Sequence, residues 1–353
     1  MSKKVLVDTS EVAWHALATT TGGGGAGRAL SSGEAAILRQ RADEVFAKEV
    51  KEWEAFKAKR ESGDDRYMKQ VLKSGTLADK VAAMTLMVGE SPVHRLGTLE
   101  ELLKMAKSGR HTSKMAIESL KDFFAGEGLP DGRRLVALAD RGAAAASASA
   151  RDLVLFAFED RLRKAYGDFV GVVQGYLKHQ AKELRRFAAE TCVSLLKAKP
   201  EREAALLEMV VNKLGDPEPS VAGRASQLLL EVLKAHRAMT PVVAAEVQAF
   251  ATRQGNSPKA SHAAVSFLNQ IFLSPQLADL AASLVAMYVA LFSAAVAAGE
   301  LQTKLLSALL TGGRPAPREA TSKALGRSVG FDSFRPTLGR AARRSERSRR
   351  VDV

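Results

Sequence analysis

Apolar residues recur at three- and four-residue spacing along most of the chain, and alternating runs of the kind that make half-buried strands are scarce. The pattern predicts helices almost throughout. Val45, Phe46, Val50, Trp53 and Phe56 form one stripe in a charged helix over residues 42–60, and "ESGDDRY" after it reads as a loop. "LADKVAAMTLMV" starts at Leu77 and stops at Gly89, with Pro92 beyond it. Thr98, with Glu101 three residues on, predicts a capping box for the next helix, and "HTSKMAIESLKDFFAGEG" follows as another. The apolar stretch from Ala150 to His179 is long enough for two helices with a break near Gly167. "RGAAAASASA" at 141–150 reads as a low-complexity insertion.

From Leu184 the pattern repeats. "LRRFAAETCVSLLKA" and "VAGRASQLLLEVLKA" superpose at an offset of 37 residues (Ala188 on Ala225), and "KASHAAVSFLNQIF" follows at 38, placing Ala263 on Ala225 and Leu268 on Leu230. Each is followed by a short break and a second apolar helix. Two helices per repeat of roughly 40 residues is the signature of a HEAT- or armadillo-like α-solenoid, in which stacked pairs bury faces that no single pair can cover. The all-α reading divides the chain into a linker-rich N-terminal segment with one charged helix (1–75), a helical-repeat domain (76–312) and a basic tail expected to be disordered (313–353). At "LGDPEPS", Gly215 is expected to end a helix in the left-handed conformation, Asp216 and Pro217 to shape the turn, and Ser220 to cap the next helix. That makes the stretch a repeat corner and not a catalytic loop.

The uncharged run Leu280–Gly299 is long enough to span a bilayer. Its many Ala and Ser residues, the gathering of its large side chains on one face and the lack of a flanking basic cluster instead predict a helix buried between two repeat layers. No secretory signal or transit peptide is expected from the first residues, where Asp8 and Glu11 interrupt the apolar pattern.

Charge narrows the partners. Lys and Arg number 52 against 39 Asp and Glu, a net +13 that favours polyanions, whether RNA, DNA or an acidic protein surface, with plain solubility as the bland alternative. Arg340, Arg343, Arg344, Arg347, Arg349 and Arg350 crowd the tail against Glu346. Such a tail contacts phosphates, acts as a nuclear import signal, or merely solubilises. Lys182, Arg185 and Arg186 make a smaller patch at a helix start, either a nucleic-acid contact or a solvated face.

Catalytic and metal chemistry find no foothold. Cys192 is the single cysteine and lies in an apolar helical run, as a buried small hydrophobe does. The six histidines show no H-x-x-x-H spacing, and no G-x-S-x-G occurs. "GGGGAG" (Gly22–Gly27) matches G-x-G-x-x-G formally, but no strand leads into it and no helix opens from it, so it reads as a linker. No catalytic residue, cofactor, metal or small-molecule substrate is expected.

Several stretches carry a resemblance. "LADKVAAMTLMVGESPVHRLGTLEELL", "LLEMVVNKLGDPEPSVAGRASQLLLEVL", "SPKASHAAVSFLNQIFLS" and "KLLSALLTG" occur in the order found in the CCAAT-binding factor / nucleolar complex family, which the chain strongly resembles from about Leu77 to Gly312. "LVDTSEVAWHAL" around Trp14 is a weaker echo. The resemblance implies a non-catalytic nucleolar scaffold for large (60S) ribosomal subunit assembly, working in the nucleus on pre-60S particles with pre-rRNA and a second nucleolar complex family protein. It also carries an association with CCAAT-box transcription; a CCAAT-binding factor of DNA, or a protein-only HEAT adaptor, is the alternative. After "LLTG" the sequence departs from the family pattern, and the second half of the family domain is expected to be missing. The Arg-rich tail draws no support from the family.

Overall fold

The computed structural model describes residues 5–9, 12–17, 30–109, 112–297, 305 and 307–309. Among these, every regular element is helical and no strand forms. Most of the glycine-rich linker and the whole Arg-rich tail, Arg340 to Arg350, lie outside the described residues. The chain forms two compact units, Met1–Leu206 and Leu207–Val353.

In the N-terminal unit, three helices open with the same device. α1 (Ser32–Lys59), α2 (Gly63–Ser74) and α3 (Leu77–Glu90) are preceded by Ser31, Ser62 and Thr76, paired with Glu34, Asp65 and Asp79 in reciprocal capping boxes. Each box satisfies N–H groups that the first turn leaves orphaned. The box at Ser62 turns most of the expected "ESGDDRY" loop into the start of α2. Thr98 caps nothing. α4 (Leu96–Lys107) begins three residues earlier than that cap would start it, because Val93 and His94 are buried in the turn before it and draw the chain into the helix at Leu96.

α5 (Ser113–Phe123) and the short α6 (Ala143–Ala146) precede α7 (Ala150–Leu177), which runs unbroken for 28 residues. The expected break at Gly167 does not occur. Helix α7 is buried on nearly all sides, packed by α1, α4, α5 and α8 (Lys182–Ala198), and this packing outweighs the weak helix propensity of one glycine. Leu153, Phe156, Phe158, Leu162, Tyr166, Phe169 and Val173 of α7 form the core with Phe124, Leu120 and Leu99. The alanine-rich stretch packs into this core, with Ala145, Ala148 and Arg141 buried.

The Tyr166 ring meets Phe124 edge-on at 4.9 Å, and its buried hydroxyl has no hydrogen-bond partner among the described residues. Burial pushes its ionisation far above the ordinary tyrosine range. Because an unsatisfied buried hydroxyl costs about 1–3 kcal/mol, Tyr166→Phe is expected to stabilise the unit by about 1 kcal/mol, seen as a higher melting temperature. A loss of similar size would show that the hydroxyl is hydrogen-bonded in solution.

The segment before α1 docks onto this core. The Trp14 indole N–H donates to the Gly128 carbonyl at 3.1 Å, and its ring stands edge-on to Phe158. Upstream, the backbone N–H groups of Leu6 and Val7 donate to the buried Glu49 carboxylate at 3.0 and 2.9 Å. His94 Nε2 lies 3.3 Å from the same carboxylate, and its Nδ1 is 2.7 Å from Ser91 Oγ, which in turn meets Thr9 Oγ1 at 2.8 Å. Trp53 stacks flat on the His94 ring at 4.8 Å.

α9 (Glu203–Asn212) leads into the C-terminal unit, which holds α10 (Pro219–Ala235), α11 (Thr240–Ala251), α12 (Pro258–Leu268) and α13 (Ala278–Ala297). The repeat words fall on α8, α10 and α12. Ala188, Leu195 and Ala225, Val232 are buried in the predicted 37-residue register. In α12 the buried positions are Ala264 and Leu268, which match Ala225 and Leu229, a spacing of 39 rather than 38.

At the corner before α10, Gly215 belongs to a 3-10 turn, Lys213–Gly215, and not to a left-handed cap. Its missing side chain serves a close approach instead: a Cβ there would stand 3.0 Å from the Phe250 ring and 3.2 Å from Ala260 Cβ. Asp216 accepts the Glu218 N–H at 3.1 Å and pairs with Lys213 at 3.0 Å, so it does shape the turn. The helix starts at Pro219 without a side-chain cap; Ser220 lies inside its first turn.

α13 is long and apolar enough to cross a membrane, with a mean hydropathy of 2.1 over its apolar window, 28 % of which is buried. The described residues cover one face: Ala281, Leu284, Val285, Met287 and Tyr288 are buried, and the Tyr288 hydroxyl donates to Asn269. The expected burial between two layers is one-sided among the described residues, where α11 is the main helix packed against it.

Candidate nucleic-acid interface

Four-residue spacing puts Gly167, Gly171 and Gly175 on one strip of α7 that carries no side chain. A groove of about 800 Å³ lies along this strip, in the N-terminal unit. Lys107 at the end of α4, Lys114 at the start of α5, and Tyr176, His179 and Leu184 line it. A Cβ built on Gly171 or Gly175 meets nothing within 4 Å, so these glycines are not demanded by packing.

The cations here are loosely held. Lys107 pairs with Asp168 at 3.4 Å, with both side chains at least half exposed, and Lys114 reaches Glu118 only at 3.9 Å. Exposed pairs of this kind contribute at most about 1 kcal/mol and yield readily to a stronger anion. The Lys114 ammonium also sits 5.0 Å over the Phe187 ring, and the Tyr176 and His179 rings stack at 6.2 Å. Lysines beside partly exposed rings suit a ribose-phosphate chain with unstacked bases.

Two helices begin beside this groove with a lysine in the first turn, balanced in α8 by Glu183 and in α5 by no acidic residue there. α5 starts Ser-Lys and α8 starts Lys-Glu, and neither Thr112 nor Ala181 supplies a side-chain cap. Cations are unfavourable at the positive end of a helix dipole, whereas an anion there is favoured by the dipole and by free N–H groups.

Of the residues singled out in the sequence, Lys182 and Arg186 are exposed on one face of the first turns of α8; neither lines the groove, which α8 reaches through Leu184. Arg185 has a structural duty: its guanidinium donates to the His179 and Gln180 carbonyls at 2.9 and 2.7 Å and closes the α7–α8 turn. Lys107, Lys114 and the glycine strip escaped sequence reading. The four-residue glycine spacing was the available signal, and it lay hidden inside the supposed helix break. Cys192 is fully buried, and burial pushes its thiol up to about 12, as a packing residue requires.

A helical core with a groove edged by lysines and rings defines the class: an all-α protein of packed helices. No protein-family model matches the chain. Among curated proteins, it is 32 % identical over 250 residues to CCAAT/enhancer-binding protein zeta of Mus musculus, covering 68 % of this chain and 24 % of that protein. It is 34 % identical over 272 residues to "Ribosome biogenesis protein NOC1" of Chaetomium thermophilum, covering 70 % and 26 %. "Nucleolar complex protein 1" of Drosophila melanogaster is 31 % identical over 223 residues, covering 60 % and 19 %. The chain belongs to the CCAAT-binding factor / nucleolar complex family. It spans about a quarter of the length of the first two of these relatives.

Proposed function

We propose that this chain is a non-catalytic, RNA-binding scaffold segment of a nucleolar ribosome-biogenesis factor, built from helical repeats of HEAT or armadillo type. Its target is pre-rRNA in precursors of the large subunit, and a second protein of the same family is its proposed partner there. The groove over Gly167, Gly171 and Gly175, edged by Lys107, Lys114, Tyr176 and His179, carries the reading. The relatives' printed names, ribosome biogenesis protein and nucleolar complex protein, supply the setting.

The test is binding of the full chain to a single-stranded RNA and to a hairpin of the same composition at low salt. Gly171→Glu puts a carboxylate into the groove without a clash, since the site is open, and replaces a glycine inside a helix. It is expected to leave the melting temperature unchanged or raised and to weaken RNA binding by about tenfold or more, as expected when a phosphate contact is replaced by repulsion. Unchanged affinity in a folded variant would remove the groove as the RNA site.

A further inference from the structure

The C-terminal unit has an opening of different character. A groove of about 970 Å³ is lined by Leu230, Leu233 and the start of α11 on one side and by Ile271, Phe272 and Leu277 on the other. Phe272 is 86 % exposed, the highest value among the exposed large apolar residues described. Lys234 and Arg237 stand exposed at the rim, and neither is ion-paired among the described residues. Nearby Glu231 bonds Arg224 at 3.1 Å, and among the described residues no acidic side chain lines the groove.

We infer that this groove docks an acidic amphipathic helix of a partner protein. Leu230 and Leu233, three residues apart on α10, and Phe272 and Leu277 opposite them offer an apolar trough to side chains at i, i+3, i+4 and i+7 of such a helix. The unpaired Lys234 and Arg237 select glutamates or aspartates flanking those anchors and repel a basic helix. RNA is disfavoured, because Phe272 is the single aromatic ring among the described lining residues, and Leu230, Leu233, Ile271 and Leu277 are aliphatic and give bases nothing to stack on. The docking site lies in the unit that does not hold the RNA groove, so the two readings fail independently.

The probe is a fluorescein-labelled helical peptide with leucines at i, i+3, i+4 and i+7 and glutamates elsewhere, titrated into the full chain. A control peptide carries lysines in place of the glutamates. Saturable binding of the acidic peptide is expected, with the lysine version at least about tenfold weaker. Phe272→Glu, at a site too exposed to affect folding, is expected to weaken it by at least about tenfold, as loss of a central anchor does. Lys234→Glu with Arg237→Glu gives a comparable loss, while Gly171→Glu leaves peptide binding unchanged. Equal affinity for the two peptides, or indifference to Phe272→Glu, would overturn the inference. So would a Phe272→Glu variant that loses RNA binding, or one that loses a self-association present in the parent chain, because either result gives the groove a different occupant.

Discussion

Glu49→Ala is expected to destabilise the N-terminal unit by about 3–5 kcal/mol, the range found when one member of a buried pair is removed and the other stays. The substitution strips the acceptor from three donors at once: the Leu6 and Val7 N–H groups and the His94 ring. Both side chains of the Glu49–His94 pair are 1 % exposed, so water does not replace the lost bonds. The segment that carries Trp14 then loses an anchor as well as the core losing a charge. Urea unfolding followed at tryptophan checks this, because Trp14 and Trp53 both report on the unit; a shift below about 1 kcal/mol would mean that the site relaxes freely. Glu49→Gln, which keeps the shape and one carbonyl acceptor, is expected to recover part of the loss.

The same carboxylate sets an acid limit. Burial pushes the Glu49 carboxyl up, but the His94 hydrogen bond and the Leu6 and Val7 N–H groups outweigh it and hold the carboxyl below its ordinary 4.5. A depressed folded-state value means that the ionised form is the one the fold prefers. Its contribution is therefore present above about 4.5 and is lost as pH falls through the lower folded-state value. The parent unit should lose stability there, and Glu49→Gln should flatten that loss.

The second large effect concerns charge. Reversing Lys114, Lys182 and Arg186 together to Glu is expected to weaken RNA binding by about a hundredfold at low salt and to make the log-affinity against log-salt slope shallower by about 2, at about 0.7 per lost contact with a single strand. Lys182 and Arg186 are exposed and the Lys114 side chain is 55 % exposed, so the fold should be untouched. Reversal of Lys48, Lys51 and Lys59, three exposed lysines of α1, changes net charge equally and is the control. If both triples lower affinity alike, binding follows net charge and not the groove with the neighbouring cations of α8.

The structure also shows where reading from the chain alone stops. Gly167 and Gly171 sit in a helix that local propensity would break, and only burial of α7 against four neighbours keeps it whole. Thr98 and Glu101 had the right spacing for a capping box, yet buried Val93 and His94 moved the helix start. Gly215 did mark a special position, but for contact with Phe250 and Ala260 instead of backbone sign.

By itself the sequence determined that this protein is helical, that its helices recur in pairs from α8 onward, that Cys192 is a packing residue, and which family words it carries. Those properties are written in local periodicity and in short runs of residues, which neighbours along the chain decide. Only the tertiary structure decided that Glu49 is a buried anchor for Leu6 and Val7, that Lys107 and Lys114 open onto one glycine-floored groove, and that Phe272 is left bare. Each of these depends on residues tens of positions apart coming together. A polar side chain on a helical stripe, or an aromatic after a helix end, looks the same in sequence whether packing buries it or leaves it in water.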